Sequence, residues 1–513
     1  MKEINLEFPE LYYYMSIARK ILSNTIWQVA GRMIMALLAV VTVKIATNYL
    51  SVEGYGEYAL VYEFLAFFAI AADMGLFTIA VREMAKDEKQ IPKILGNVLT
   101  LRTILIAVMM TAAAITVFLI PKYEGTRIPL GVTIATLSVF FTILNGTVTS
   151  VLQTKLKMHL SSIAQISSKV IQVAYMLYVV FVAFPKLGPG GTPSDAGFYH
   201  LLVAGVVGNL VMLFITNHFV RKITPIRYQL DKEICKNVFL KALPYGIALI
   251  LNTVYFRIDS ILISLIRGQA EVGIYAVAMR VLEAFAIIPL YFMNSVLPVL
   301  TKSLKEQNEK YKLIIRYSFD FLAALGMPLL VGAYVLAYPI VFIVSSPEFL
   351  SRLDEGFYGS DMALKILMFA LVFQFLNTLF AFILLAVNKQ SRILYINAAC
   401  VLFNIIGNLL VIPYYGFRGA AITSVLSELL ILILTATVAY RYLKYRISFA
   451  TTFKIIISAL LMGVAVHYLQ PVSYTLLQNA GVLLLVPVGA IIYGALLILT
   501  RAVNKDMLKL LRK

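Results

Sequence analysis

"LNTVYFRIDSILISLI" (residues 251–266) is apolar enough to lie in a membrane, yet Arg257 and Asp259 stand near its middle. A charge at the centre of a membrane helix costs roughly 2.5–3.5 kcal/mol on insertion scales, so neither side chain is expected to face lipid. Each must meet a partner, a protein interior or a wet cavity. The rest of the chain sets the same terms. Of its 513 residues 61% are hydrophobic and 14% charged, against about half and a quarter in a soluble domain. Apolar runs of about 20 residues, each able to cross a hydrocarbon core about 30 Å thick, recur from end to end. The fold class is therefore an all-α polytopic membrane protein, without room for a sizeable soluble domain.

Fourteen spans are expected, near 24–50, 58–82, 95–120, 129–153, 161–184, 197–219, 242–266, 273–299, 313–343, 361–386, 392–412, 419–440, 453–470 and 478–500. With residues at span edges counted in the adjoining loop, and the N-terminus placed inside, the inner segments hold 30 Lys or Arg, the outer loops 6 and the spans 8 of the 44. Positive charge stays on the cytoplasmic side, so both termini are expected there. The formal charge of +18 follows from this asymmetry, and no nucleic-acid partner is needed to explain it. Residues 1–23, with aromatic residues among charges, read as an amphipathic cytoplasmic lead-in rather than a cleavable signal. Cys235 and Cys400 make no disulfide framework, and the four histidines show no metal-ligand spacing.

The longest inner loop falls between spans six and seven. It divides the chain into a six-helix lobe (24–220), a cytoplasmic linker (221–241), a second six-helix lobe (242–440) and an appended pair of helices with a basic tail (441–513). The lobes echo one another. "VEGYGEYAL" (52–60) follows span one and "AEVGIYAVA" (270–278) opens span eight, so that Gly56, Tyr58 and Ala59 recur as Gly273, Tyr275 and Ala276. A glycine in a short turn can supply a backbone shape that other residues resist. Two six-span halves fit a parallel repeat about an axis along the membrane normal.

The opening "NTIWQVAGRMIMALLAVVTVKIATNYLSVEGYGEYALVYEFLAFFAIAADMGL" (24–76) resembles the first two spans of oligosaccharide flippases. Asn24, Trp27, Gly56, Tyr58, Asp73 and Gly75 sit at the matching positions, and "GFRGAAITSVLSE" (416–428) resembles the turn and helix that open span twelve. The family is the polysaccharide transporter branch of the MOP superfamily, the Wzx type. The resemblance implies a multi-pass protein of the cell membrane, a monomer by default, that moves a polyprenyl-pyrophosphate-linked oligosaccharide from the inner to the outer leaflet by alternating access. Its partners would be that lipid-linked oligosaccharide, membrane lipids, and the polymerase and glycosyltransferase machinery.

Among the charges within spans, Arg316 and Lys365 lie near span ends and can snorkel to the interface; Arg102 and Lys169 are close enough to the inner face to do the same. Arg32, Lys44, Arg257 and Arg280 are harder to place that way, and they are the expected ligands of the pyrophosphate, since a guanidinium matches phosphate oxygens. Asn24, Gln28 and Arg32 form one stripe on span one. Asn252 and Asp259 share a face of span seven, and Arg280 and Glu283 a face of span eight. These groups either line a polar cavity or pair between helices, Arg257 with Glu283 and Arg280 with Asp259. Asp73 and Glu428 are candidates for coupling transport to Na+ or H+; a packed carboxyl is the plainer reading of each. No other cofactor is expected. Pro244, Pro289, Pro298 and Pro328 remove backbone donors and permit bends.

Two related transport readings compete. A lipid II flippase of the MurJ type shares fourteen spans and a cationic cavity. A MATE-like drug or metabolite exporter shares the twelve-span core, but would need an acidic cavity. An enzyme is not expected: the outer loops are short, and Asp354-Glu355 is their only adjacent acidic pair.

Overall fold

The computed structural model describes residue 31 and residues 33–186, 193–306 and 309–502. The expected lead-in at 1–23, the polar residues Asn24, Gln28 and Arg32, and the end of the basic tail fall outside them. Sixteen α-helices run through the described residues: α1 (Met33–Tyr49), α2 (Val52–Asp73), α3 (Leu76–Lys86), α4 (Ile91–Phe118), α5 (Ile128–Thr154), α6 (Met158–Tyr178), α7 (Asp195–Arg221), α8 (Lys232–Ile266), α9 (Gln269–Ala286), α10 (Ile288–Lys305), α11 (Lys310–Val344), α12 (Ser360–Ala386), α13 (Gln390–Tyr415), α14 (Phe417–Tyr442), α15 (Phe449–Leu477) and α16 (Val482–Leu499). An all-helical build satisfies every backbone donor inside its own segment, as lipid requires.

Among the described residues twelve helical stretches are long and apolar enough to cross a bilayer. One of them, 449–499, joins α15 to α16 through a 3₁₀ turn, and α1 is apolar but shorter. The protein is thus an all-α, multi-pass membrane protein, with a span number close to the fourteen expected. Residues 232–241, expected in the linker, are the first turns of α8.

The second span is broken into α2 and α3. Met74 (φ 40°) and Gly75 (φ 74°) both take left-handed backbone at the break, a conformation that glycine adopts without the steric cost a side chain brings. The break sits against the proline region of α8: a Cβ on Gly75 would collide with the Tyr245 ring, and one on Gly246 would lie 2.8 Å from the Met74 carbonyl. The eighth span is also broken, between α9 and α10, with Pro289 in the first turn of the new helix, where its missing N–H costs nothing. Pro244 lies inside α8, and Pro328 and Pro339 inside an uninterrupted α11.

Gly56 and Gly273 have ordinary helical backbone rather than the special turn geometry expected of them. Their reason is close approach. A Cβ on Gly56 would collide with the Gln269 carbonyl, and one on Gly273 with that of Val52.

The chain divides into two compact units. Unit 1 comprises residues 1–50 and 57–257, and unit 2 comprises residues 51–56 and 258–513. Unit 1 has a core of Leu76, Met84, Leu95, Val98, Val151 and Leu152 on α3, α4 and α5, joined by Val220 of α7 and Ala242 of α8. Unit 2 has a core in which Leu322 and Leu336 of α11 and Phe380 of α12 pack with Met462 of α15 and Leu485 of α16. The last two helices share this core rather than standing outside it, and the Tyr493 hydroxyl donates to the Ala324 carbonyl at 3.0 Å.

Candidate functional site

In unit 1, α2 and α8 bring Glu63 and Arg257 together. One guanidinium nitrogen of Arg257 donates to both carboxylate oxygens of Glu63 at 2.8 Å. Glu63 is buried (side chain 6% exposed), whereas Arg257 keeps 28% of its side chain exposed. The acid therefore anchors the arginine while part of its side chain stays accessible. Glu63 is a partner that spacing along one helix does not reveal, because it comes from α2.

A second pair lies deeper. Arg102 of α4 is 2% exposed; it donates to Asp73, at the end of α2, and to the Thr147 hydroxyl of α5 at 2.9 Å. Arg102 is thus a buried tie among three helices, not a side chain snorkelling to the interface. A third pair joins Glu57 of α2 to Arg127 at the start of α5, at 2.5 Å. Lys169 donates to Gln172 at 2.9 Å on its own helix. Lys44 of α1 lines a recess beside the end of α6.

Unit 2 treats its acids differently. Asp259 is 4% exposed. Its Oδ1 accepts from the Asn408 side-chain amide of α13 at 2.7 Å, and its Oδ2 accepts from the Ser424 hydroxyl of α14 at 2.6 Å and the Tyr275 hydroxyl of α9 at 2.9 Å. Asn408 also donates to Asn404 Oδ1 at 3.1 Å. The buried Asn408 Oδ1 has no hydrogen-bond donor among the described residues, and the donors to the Asp259 carboxylate are all neutral. Asp259 is not paired with Arg280, which instead bonds Glu283 one turn along α9 at 2.9 Å. Among the described residues the expected Arg280–Asp259 bridge is replaced by the cage around Asp259. Glu428 is buried in α14 beside Ser427, which accepts from Asn404 at 3.4 Å. Asn252 is exposed.

The polar partners of Asp259 carry one weak sequence signal. Asn404 and Asn408, spaced i, i+4 in "NIIGNLL", share a face of an otherwise apolar helix. Glu63 stood among the in-span acids without a partner to give it meaning. Asp354 and Glu355 form part of a 3₁₀ turn in a loop, where Glu355 pairs with Arg352 at 2.7 Å.

Comparison with known proteins agrees with this architecture. The family described as "Polysaccharide biosynthesis protein" matches residues 21–304, and the MatE family matches residues 244–410. No curated protein matches the chain. Among solved structures, an inward closed lipid II flippase MurJ has a TM-score of 0.68 at 15% identity, over 94% of this chain and 99% of that one. An inward-facing multidrug resistance MATE family transporter of the MOP superfamily has a TM-score of 0.60 at 16% identity, over 82% and 98%. A MOP superfamily transporter from Pyrococcus furiosus, described by a binding pocket of reverse polarity, has a TM-score of 0.56 at 16% identity, over 83% and 95%. With more than half of its length matched, this chain belongs to the polysaccharide biosynthesis protein family.

Proposed function

We propose that the protein carries a polyprenyl-pyrophosphate-linked oligosaccharide from the inner to the outer leaflet of the cell membrane by alternating access. In this reading both termini are cytoplasmic, and the cargo is handed to polymerase and glycosyltransferase partners without being chemically altered. The observation that carries the proposal is the part-exposed Arg257 of α8, anchored by the buried Glu63 of α2. A guanidinium in that setting offers a planar fork to diphosphate oxygens, and Glu63 holds it in place when cargo is absent. The family match favours a polysaccharide precursor as the saccharide; the likeness to a lipid II flippase supports a lipid-linked cargo in general.

Transport is coupled, in this reading, to Na+ or H+ at Asp259 rather than at Asp73, whose carboxylate is committed to Arg102. Oxygen ligands suit a hard cation, and the Asp259 carboxylate with Asn408 Oδ1 supplies two of them. A proton on Asp259 would satisfy the same cage by donating to the amide oxygen.

Binding of a polyprenyl diphosphate to the protein in nanodiscs tests the anion site. Arg257→Ala should weaken binding about tenfold or more, as expected for a lost charge-assisted contact of ~1.5–3 kcal/mol. Glu63→Gln should leave binding intact or tighten it, because it removes a competitor for the same guanidinium. Lipid II as competitor separates the two cargo classes. Unchanged binding in Arg257→Ala would reduce the Glu63–Arg257 pair to a tie between helices.

A further inference from the structure

We infer that unit 1 carries a separate site for a lipid phosphate, distinct from the Arg257 site, in the recess between the end of α1 and the end of α6. The recess encloses about 420 Å³, and its nine lining residues include two lysines, Lys44 and Lys186, and no acid. The walls are apolar, with Ile45 on one side and Leu177, Phe181 and Pro185 on the other. Its shape comes from an irregular piece of helix. After Tyr178, α6 widens into a single π turn over Val179–Ala183, closed by the Phe184 N–H donating to the Val179 carbonyl at 2.9 Å. Such π turns occur often at functional sites. The Tyr49 hydroxyl fixes the turn to α1 by donating to the Phe184 carbonyl at 2.7 Å.

The two lysines stand at different depths. Lys186 lies beyond the π turn and donates to the Asn48 carbonyl at 3.0 Å, at the mouth. Lys44 lies five residues before the end of α1, about 7.5 Å of helix rise inside it. Two cations stacked in depth along an apolar wall fit one ligand class: a phosphate seated near the membrane boundary with a long chain running down beside it. The outward-facing surface continues that wall, since Phe181 is 72% exposed and Val182 65% exposed. A soluble anion would gain from the lysines alone, whereas a lipid phosphate gains from both lysines and wall. A phosphate drawn between the lysines also lowers the cost of holding Lys44 within the span. The charge asymmetry of the loops places this mouth on the outer side. The site stands on the recess itself and is independent of which cargo the protein moves.

The phosphate can come from an anionic membrane phospholipid or from a polyprenyl carrier, and one experiment separates them. Delipidated protein is titrated with phosphatidylglycerol, polyprenyl monophosphate or inorganic phosphate, and retained adducts are counted by native mass spectrometry. Wild type should retain at least one of the two lipids and release inorganic phosphate. Lys44→Gln and Lys186→Gln should each weaken that lipid about tenfold. Lys44→Arg should restore retention, and Lys365→Gln in unit 2 should change nothing. Loss confined to phosphatidylglycerol identifies a membrane-lipid site; loss confined to the polyprenyl phosphate identifies a carrier site. Equal retention by wild type and both glutamine variants, each melting as wild type does, would overturn the inference and leave the two lysines as side chains reaching for the interface. Retention of inorganic phosphate as firmly as of either lipid would overturn it as well.

Discussion

The acids within the spans of unit 1 meet arginines, whereas Asp259 and Asp361 of unit 2 sit among neutral donors; in the same unit the buried Asp320 lies 4.0 Å from Arg316. In unit 1 Asp73, Glu63 and Glu57 each meet an arginine from another helix or its leading turn. In unit 2 Asp259 is held by an amide and two hydroxyls, and Asp361 by the Ser351 backbone N–H and hydroxyl at 2.8 and 2.7 Å. An arginine partner supplies charge compensation and fixes helix packing together. Neutral donors orient a carboxylate but leave its charge to be met by something that comes and goes. On the proposed function, unit 1 lends an arginine to an anion, and the Asp259 cage of unit 2 receives a cation or proton.

The largest test of that contrast is in unit 1. Asp73→Ala leaves the Arg102 charge buried with only a hydroxyl for company, and should cost about 3–5 kcal/mol, read as a lower folded yield and an earlier thermal transition in detergent. Replacing both partners, with Asp73→Ala and Arg102→Met, should recover much of that loss, because no orphan charge remains. A double variant as unstable as the single would mean that the pair holds the helices by geometry rather than by charge.

In unit 2 the same logic gives a different pattern. Asp259→Ala removes one acceptor from the Asn408 amide and from the Tyr275 and Ser424 hydroxyls, each of which keeps a second partner, for about 1–3 kcal/mol in total. Asp259→Asn keeps the shape and should fold, yet should lose any rise in melting temperature that Na+ or acid confers on wild type, together with most transport in proteoliposomes. If Asp259→Asn retained the cation response, the cage would be plain structure and the contrast between units would lose its functional meaning.

A third, smaller effect probes the helix approach that sequence repetition flagged. Gly56→Ala and Gly273→Ala each place a methyl against a backbone carbonyl, and overpacking of this kind costs about 1–3 kcal/mol. The two losses should be similar if the echo between the halves reflects one shared packing need. A neutral Gly56→Ala would show that the α2 turn has room to shift.

Much of this was legible beforehand because lipid makes a simple solvent. Apolar length announces a span, and the loop charges announce a side. The special status of Arg257 and Asp259 was equally plain, since their cost in hydrocarbon needs no structure to state. Their partners were not plain. Glu63 lies 194 positions from Arg257 and Asn408 149 from Asp259; periodicity reports which residues share a helix face, not which helices meet. Pairing by nearness in sequence therefore set Arg280 against Asp259, where the fold gives Asp259 the neutral donors of α9, α13 and α14. Arg102 failed for a related reason. Its distance from a span end allowed snorkelling, and only the Asp73 carboxylate at the α2–α3 break explains why it stays buried. The break at "DMGL" (73–76) falls within the single span expected over 58–82, and Met74 and Gly75 take the left-handed backbone there.

The smallest prediction carries the comparison outside the membrane. Asp231, just before α8, combines both modes of support: its carboxylate accepts the backbone N–H of Ile234 at 3.3 Å and of Glu233 at 3.1 Å, and Lys93 lies 3.2 Å away. The Ile234 N–H first, and then Lys93, hold its carboxyl below the usual aspartate range. A lowered folded-state pKa means that the stabilisation is present above the ordinary value of about 3.9 and is lost as pH falls through the folded one. Wild type should thus melt slightly above Asp231→Asn at neutral pH, and the two should converge in strong acid. Salt separates the two supports. An exposed ion pair is screened at high ionic strength, whereas capping by backbone N–H groups is less so. If the gap at neutral pH survives 1 M salt, neutral donors dominate here as they do around Asp259; if it closes, Asp231 behaves like the arginine-paired acids of its own unit.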